Sequence, residues 1–354
     1  MRSTRKLEHL RLAMKITSDQ GDSGFGDISL VPWAMPEIDL AEVDASCHFL
    51  GKSLTAPILI NAMTGGHLET QEVNSALARA AQEAGLAIAV GSQRAALENK
   101  SLRETYVVVR RNNPDGVVLA NLNAGCTPDD ALRAVEMLNA DGIQLYLNPA
   151  QELAMAEGDP NFRNVLENLS RVKEVVNVPV IIKEVGFGLS GEIVACLRET
   201  GVDFVDVGGR GGTNFIAIER MRGGRRIGEE MLSWGLPTAI ALAEAVHFWP
   251  GRVIASGGIR TGLDIAKALA LGASLTGIAR PFLAAYKNGP EAVVKLALGL
   301  IENLRAVMFL VGAQDIATLQ TRPVVITGYP REWLQERGLN PGKYAQRGYV
   351  RNVL

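Results

Sequence analysis

The chain has 354 residues, of which 47% are hydrophobic and 21% charged, with a formal net charge of −2. That balance supplies a large apolar core, excludes general disorder and disfavours nucleic-acid binding by bulk charge. Three cysteines with no C-x-x-C spacing and four histidines with no i, i+4 pair argue against a disulfide framework, a zinc site and zinc-hydrolase chemistry.

The first 55 residues open with a charged segment that leads into no apolar stretch of signal-peptide length, so neither export nor a membrane span is expected and the cytosol is the expected compartment. Within it Arg5, Lys6 and His9 form a small cationic cluster, which is either solvated surface or a clamp for an anionic substrate if the segment folds over a site.

From residue 57 onward, short apolar runs alternate with longer amphipathic stretches. Strand Pro57–Ala62 precedes helix Glu69–Ala84, Ala87–Gly91 precedes Ser101–Asn112, Val117–Asn121 precedes Asp129–Ala140, and Ile143–Leu147 precedes Phe162–Val176. Next come Pro179–Glu184 with Ser190–Glu199, Asp203–Val207 with Pro237–His247, Arg252–Ser256 with Gly262–Leu271, and Ser274–Ile278 with Pro290–Val311. Nearly continuous hydrophobic strands are what a parallel sheet covered by helices requires. Thr127-Pro128 reads as an N-cap followed by proline at the first helical position, and Gly85, Gly142, Gly201 and Gly272 stand where helices should stop.

Eight such units predict an α/β fold, a (β/α)₈ barrel over 56–312 within one domain of residues 1–354, with 1–55 and 313–354 extensions that serve as a plug, a lid or an oligomer contact. The long gap between the sixth and seventh strands, Gly208 to Gly235, falls on the carboxyl face and is expected to wall the active site. A doubly wound sheet is the rival, but its G-x-G-x-x-G turn is missing, since the first strand runs into Asn61-Ala-Met-Thr-Gly-Gly66.

In a barrel the residues after each strand converge on one mouth, which here collects Met63, Thr64, Ser92, Gln93, Arg94, Asn121, Asn123, Asn148, Gln151, Glu152, Lys183, Glu184, Arg210, Thr213 and Asn214. After strands seven and eight, Ser256-Gly-Gly-Ile-Arg260 and Gly277-Ile-Ala-Arg280 have the glycines and arginines of a phosphate site, formed by Gly257, Gly258, Ile259, Arg260, Ala279 and Arg280. Lys183 has three uses at such a place: Schiff base, general base, or cation beside an electron-rich ring. Together with Ala62, Met63, Thr64, Ser92 and Asn121 the pattern suits a flat polar heterocycle carrying one phosphate, for which FMN is the candidate. Glu152 is either a helix cap or the single carboxylate that holds Mg²⁺ against a second phosphate.

These motifs resemble the type 2 isopentenyl-diphosphate isomerases, flavoproteins built on the same barrel. The likeness runs through Arg5-Lys-Leu-Glu-His9, Phe49-Leu-Gly-Lys52, Ala62-Met-Thr-Gly-Gly66, Val90-Gly-Ser-Gln-Arg94, Leu147-Asn-Pro-Ala-Gln-Glu152, Lys183-Glu-Val-Gly-Phe-Gly188, Gly208-Gly-Arg-Gly-Gly-Thr213 and the two phosphate motifs. The resemblance implies FMN contacts at Ala62, Met63, Thr64, Ser92, Asn121, Lys183 and Thr213, and substrate contacts at Arg5, Lys6, His9, Arg94 and Gln151. It also implies Mg²⁺ on Glu152, with Gln151 and Lys183 serving catalysis. The implied reaction interconverts isopentenyl and dimethylallyl diphosphate without net redox, on FMN kept reduced by NADPH or another donor, in a homotetramer or homo-octamer.

Two positions depart from the family: Tyr146 stands where histidine is usual, and Asn214 follows Thr213 where serine is more frequent. A 2-hydroxy-acid oxidase on the same barrel would need a histidine base at the mouth, and none follows strand five or six. A catalytically silent barrel that binds a phosphorylated metabolite would lack flavin.

Overall fold

Strands without polar alternation need apolar cover on both faces, and the chain provides it with helices. In the computed structural model, which describes residues 2–15, 21–224 and 227–348, eight parallel strands close into a barrel in sequence order. They are Ile58–Ile60, Ala87–Ala89, Val118–Asn123, Gly142–Leu147, Val180–Glu184, Phe204–Asp206, Val253–Ser256 and Leu275–Ile278. Every expected strand is present. The first two end early because Asn61-Ala62 and Val90-Gly91 already turn into the mouth.

Side chains of alternate parity separate two cores. Leu59, Ala87, Leu119, Ile181, Ile254 and Leu275 fill the barrel interior, and the hairpin Cys47–Phe49 with Lys52–Leu54 closes it below, Phe49 meeting Phe204 edge-on at 5.3 Å. Residues of the other parity, such as Ile58, Ile60, Ile143 and Ile182, pack outward against the helices.

The expected long helices recur with small shifts. The third runs Pro128–Leu138, capped by Thr127, whose side chain accepts from the Asp130 N–H, and ended by Asn139 at φ 45°. Gly142 is therefore no helix stop but the first residue of the fourth strand, since asparagine already supplies the left-handed turn. Short helices absent from the sequence reading gather at the mouth: Arg94–Glu98, Pro149–Ala154, Phe215–Met221 and Arg280–Tyr286. The amino-terminal helix Arg2–Lys15 packs on the last two of these. Among the described residues no helix is long and apolar enough to cross a membrane.

The two extensions meet. Ile28–Leu30 pairs antiparallel with Val324–Ile326, and helix Gly328–Glu336 packs on Thr238–Phe248. At that contact the buried Glu244 accepts hydrogen bonds from the Gly191 N–H at 2.8 Å, Trp333 Nε1 at 2.9 Å and Arg337 Nε at 3.0 Å. Glu244→Leu strands these donors and should lower the unfolding free energy in urea by about 3 kcal/mol.

Candidate active site

At the carboxyl ends of the strands lies a cavity of about 600 Å³, and every site residue singled out above as a cofactor, substrate or metal contact lines it. Three of the other polar residues expected at the mouth turn away. Gln93 is buried and donates to Ala134 O, Arg210 bonds Ser233 O, and Asn214 caps helix Phe215–Met221.

The floor is a layer of paired polar groups directly above the apolar interior. Asn61 Nδ2 donates to Asp206 Oδ2 at 2.7 Å, Gln144 Nε2 to Asn61 Oδ1 at 3.0 Å, and Asn121 Nδ2 to Gln144 Oε1 at 3.1 Å. Ser256 Oγ donates to the other oxygen of Asp206. Beside this layer the buried Lys183 Nζ donates to Glu184 O at 2.7 Å. The Glu184 carboxylate accepts from the main-chain N–H groups of Gly186 and Phe187 at 2.6 and 2.5 Å. Burial nevertheless lifts its pKa to about 7, against those donors and the Lys183 charge.

On one wall two glycine-rich loops press together. Gly257 and Gly258 have φ of 108° and 76°, and a Cβ on either would fall within 2.1 Å of Gly209 O or 2.6 Å of Gly211 O. Only glycine permits this approach, and it leaves main chain rather than side chains facing the cavity. Ile259, Arg260, Ala279 and Arg280 complete that wall, with Arg260 Nη2 bonded to Gly211 O at 2.9 Å. After the first strand, which neighbours the eighth, Thr64 Oγ1 is buried with no hydrogen-bond partner among the described residues. A glycine cradle beside two arginines and an orphaned hydroxyl fit a flavin nucleotide: the cradle would take the phosphate, and Thr64, Asn121 and Lys183 would face the ring.

The amino-terminal helix adds further cations to the rim. Helix Arg2–Lys15 brings Arg5, Lys6 and His9 to the cavity: Arg5 Nη1 lies 3.2 Å from Met155 Sδ, Lys6 Nζ donates to Ser92 O and to Tyr106 Oη, and His9 Nε2 lies 2.8 Å from Glu219 Oε1. Arg94 stands at the rim with its guanidinium on Asp130 and Glu98. Helix Pro149–Ala154 presents Gln151 and Glu152. Gln151 Nε2 donates to Glu219 at 3.1 Å, and Asn148 Nδ2 donates to Gln151 at 3.2 Å and to Glu152 Oε1 at 2.9 Å. Glu152 Oε2 accepts from the Asp159 N–H at 2.9 Å. Each carboxylate oxygen retains acceptor capacity, which suits one oxygen ligand of a Mg²⁺ otherwise bound by water and phosphate.

Sequence reasoning missed Glu219, fully buried behind Gln151 and His9, and Arg222 beside it. The signal was present: Asn214 is an N-cap residue followed by Phe-Ile-Ala-Ile-Glu-Arg, a helical start inside the loop.

The profile of the FMN-dependent dehydrogenase family matches residues 11–105 and 100–326. The chain is 49% identical to an isopentenyl-diphosphate delta-isomerase of Moorella thermoacetica, over 95% of this chain and 97% of the relative. It is 43% identical to the protein of the same name from Methanothermobacter thermautotrophicus, over 98% and 100%. Solved structures share the fold: a lactate oxidase of Pediococcus acidilactici aligns with a TM-score of 0.65 at 18% identity over 92% of this chain and 87% of its own. A mandelate oxidase aligns with a TM-score of 0.62 at 19% identity over 90% and 92%.

Because folding raises the Glu184 pKa from 4.5 to about 7, the protonated form is the one that folding favours. Its stabilising contribution is complete below pH 4.5 and is lost as pH rises through about 7. Urea unfolding between pH 5 and pH 8 should show wild type losing stability relative to Glu184→Gln, which stays neutral throughout.

Proposed function

The chain belongs to the FMN-dependent dehydrogenase family and, within it, to the isopentenyl-diphosphate delta-isomerases, and from that premise we propose that it interconverts isopentenyl and dimethylallyl diphosphate with FMN as cofactor and Mg²⁺ on the diphosphate. The observation that carries this reading is the presence, in one cavity, of a glycine-arginine phosphate cradle and a second set of cations on the amino-terminal helix. One anion site serves the cofactor. The other serves the substrate.

Arg5, Lys6, His9 and Arg94 bind the diphosphate, and Glu152 supplies the protein oxygen to its Mg²⁺. Leu10, Met155 and Phe215 give the remaining wall an apolar character that suits a five-carbon alkene and keeps water from it. FMN, held reduced by NADPH or another donor, supplies the acid-base group for a reaction that adds one proton and removes another with no net redox. Lys183 places a cation at the ring side of the cavity. Gln151, fixed between Asn148 and Glu219, orients the substrate without ionising, because an amide does not titrate near neutral pH. Of the four histidines only His9 lines the cavity, and it comes from the amino-terminal helix, so the histidine base that oxidase chemistry needs after strand five or six has no candidate there.

Incubation with isopentenyl diphosphate, FMN, NADPH and Mg²⁺ should yield the allylic isomer, and a protein that binds flavin but forms none of it contradicts the proposal. Glu152→Gln should cut Mg²⁺-dependent turnover by about a hundredfold or more while the purified protein stays yellow. Loss of the colour instead would give Glu152 a structural role.

A further inference from the structure

We infer that Arg222 is a positioning residue for the substrate diphosphate: it fastens the amino-terminal helix across the mouth and keeps the rim carboxylates from capturing the cations that this helix delivers. The inference rests on the proposed diphosphate site.

Arg5, Glu8 and His9 are spaced i, i+3, i+4, so they share one face of helix Arg2–Lys15, while Lys6 lies on the flank against Ser92 and Tyr106. That face meets Arg222, which follows helix Phe215–Met221. Its Nε lies 3.1 Å from Glu8 Oε2, its Nη2 lies 2.9 Å from Glu157 Oε1, and its Nη1 pairs with Glu219 Oε2. Two of the same carboxylates also reach the helix cations: Glu157 lies 3.6 Å from Arg5, and Glu219 lies 2.8 Å from His9.

One guanidinium thus faces three carboxylates, in three directions that its planar fork of N–H donors can serve together. The Arg222 side chain is only 12% exposed and that of Glu219 is fully buried, so these charges interact more strongly than pairs on an open surface. Without Arg222, Glu8, Glu157 and Glu219 would repel one another, loosen the helix and compete with a diphosphate for Arg5 and His9. Local charge at the rim would also become more negative, against an anionic ligand. Arg222 itself does not line the cavity, so its effect passes through the helix.

The test compares wild type, Arg222→Lys and Arg222→Gln, each loaded with FMN and Mg²⁺. It reads kcat and KM for isopentenyl diphosphate, the Kd of inorganic diphosphate by calorimetry, and the Kd of FMN. Arg222→Gln should raise KM and the inorganic-diphosphate Kd about tenfold, with FMN affinity unchanged and kcat little altered. Arg222→Lys, a point charge in place of a fork, should fall between. Unchanged KM and inorganic-diphosphate Kd, or a loss confined to kcat or to FMN binding, would overturn the assignment. Should Arg222→Gln fail to fold, Arg222→Lys, which keeps the charge and loses the fork, decides alone and must raise both constants. If wild type binds inorganic diphosphate but makes no allylic product, the functional reading fails, and the calorimetry still decides the role of Arg222.

Discussion

A buried polar group without a partner is costly, and the top of this barrel holds several that satisfy one another. The Asn61 amide uses both ends, donating to Asp206 and accepting from Gln144 and the Ala62 N–H. Asp206 also accepts from Ser256 and the Gly208 N–H, and Gln144 accepts from Asn121. Sliding any of these strands by one residue would exchange this layer for apolar side chains and orphan its partners. The register that pairs Lys183 with Tyr146 and Asp206 is thereby set, and with it the height at which each strand delivers its last residues to the cavity.

Above that floor the cavity gathers charges from two sources. Arginines and bare main chain from the loops after the seventh and eighth strands line it together with Lys183 and with cations carried by an element from outside the barrel. The carboxylates at the cationic rim are all engaged: Glu219 by His9, Gln151 and Arg222, and Glu157 by Arg222 and Arg5. Glu157 shows the balance of forces, since desolvation pushes its pKa up but the Arg222 hydrogen bond prevails and brings it to about 2.

Much of this was written in local pattern. Unbroken apolar runs announced the strands, and within them parity told inside from outside: Leu59 is followed two residues later by Asn61, Leu119 by Asn121, and Ile254 by Ser256, each step passing from core to floor. Position after a strand was a good but incomplete guide. It gathered Thr64, Lys183 and Arg280 into one cavity yet also included Gln93, which points back into the protein to bond Ala134 and Asn121. The helices at the mouth span only five to seven residues, too few for a 3.6-residue period to stand out, although Pro149 and Pro281 marked two of them. The ionic seam was illegible for another reason: Arg222 and Glu8 are 214 positions apart, and nothing in either neighbourhood names the other.

That separation has a counterpart in the pairing of Ile28–Leu30 with Val324–Ile326. The strand nearest the amino-terminal helix cannot find its partner until the chain has been made through Ile326, so it emerges early and waits. The barrel can close while that edge is still unpaired. That pair is then among the last long-range contacts to form, and a truncation that removed Val324–Ile326 would leave the early strand without its partner.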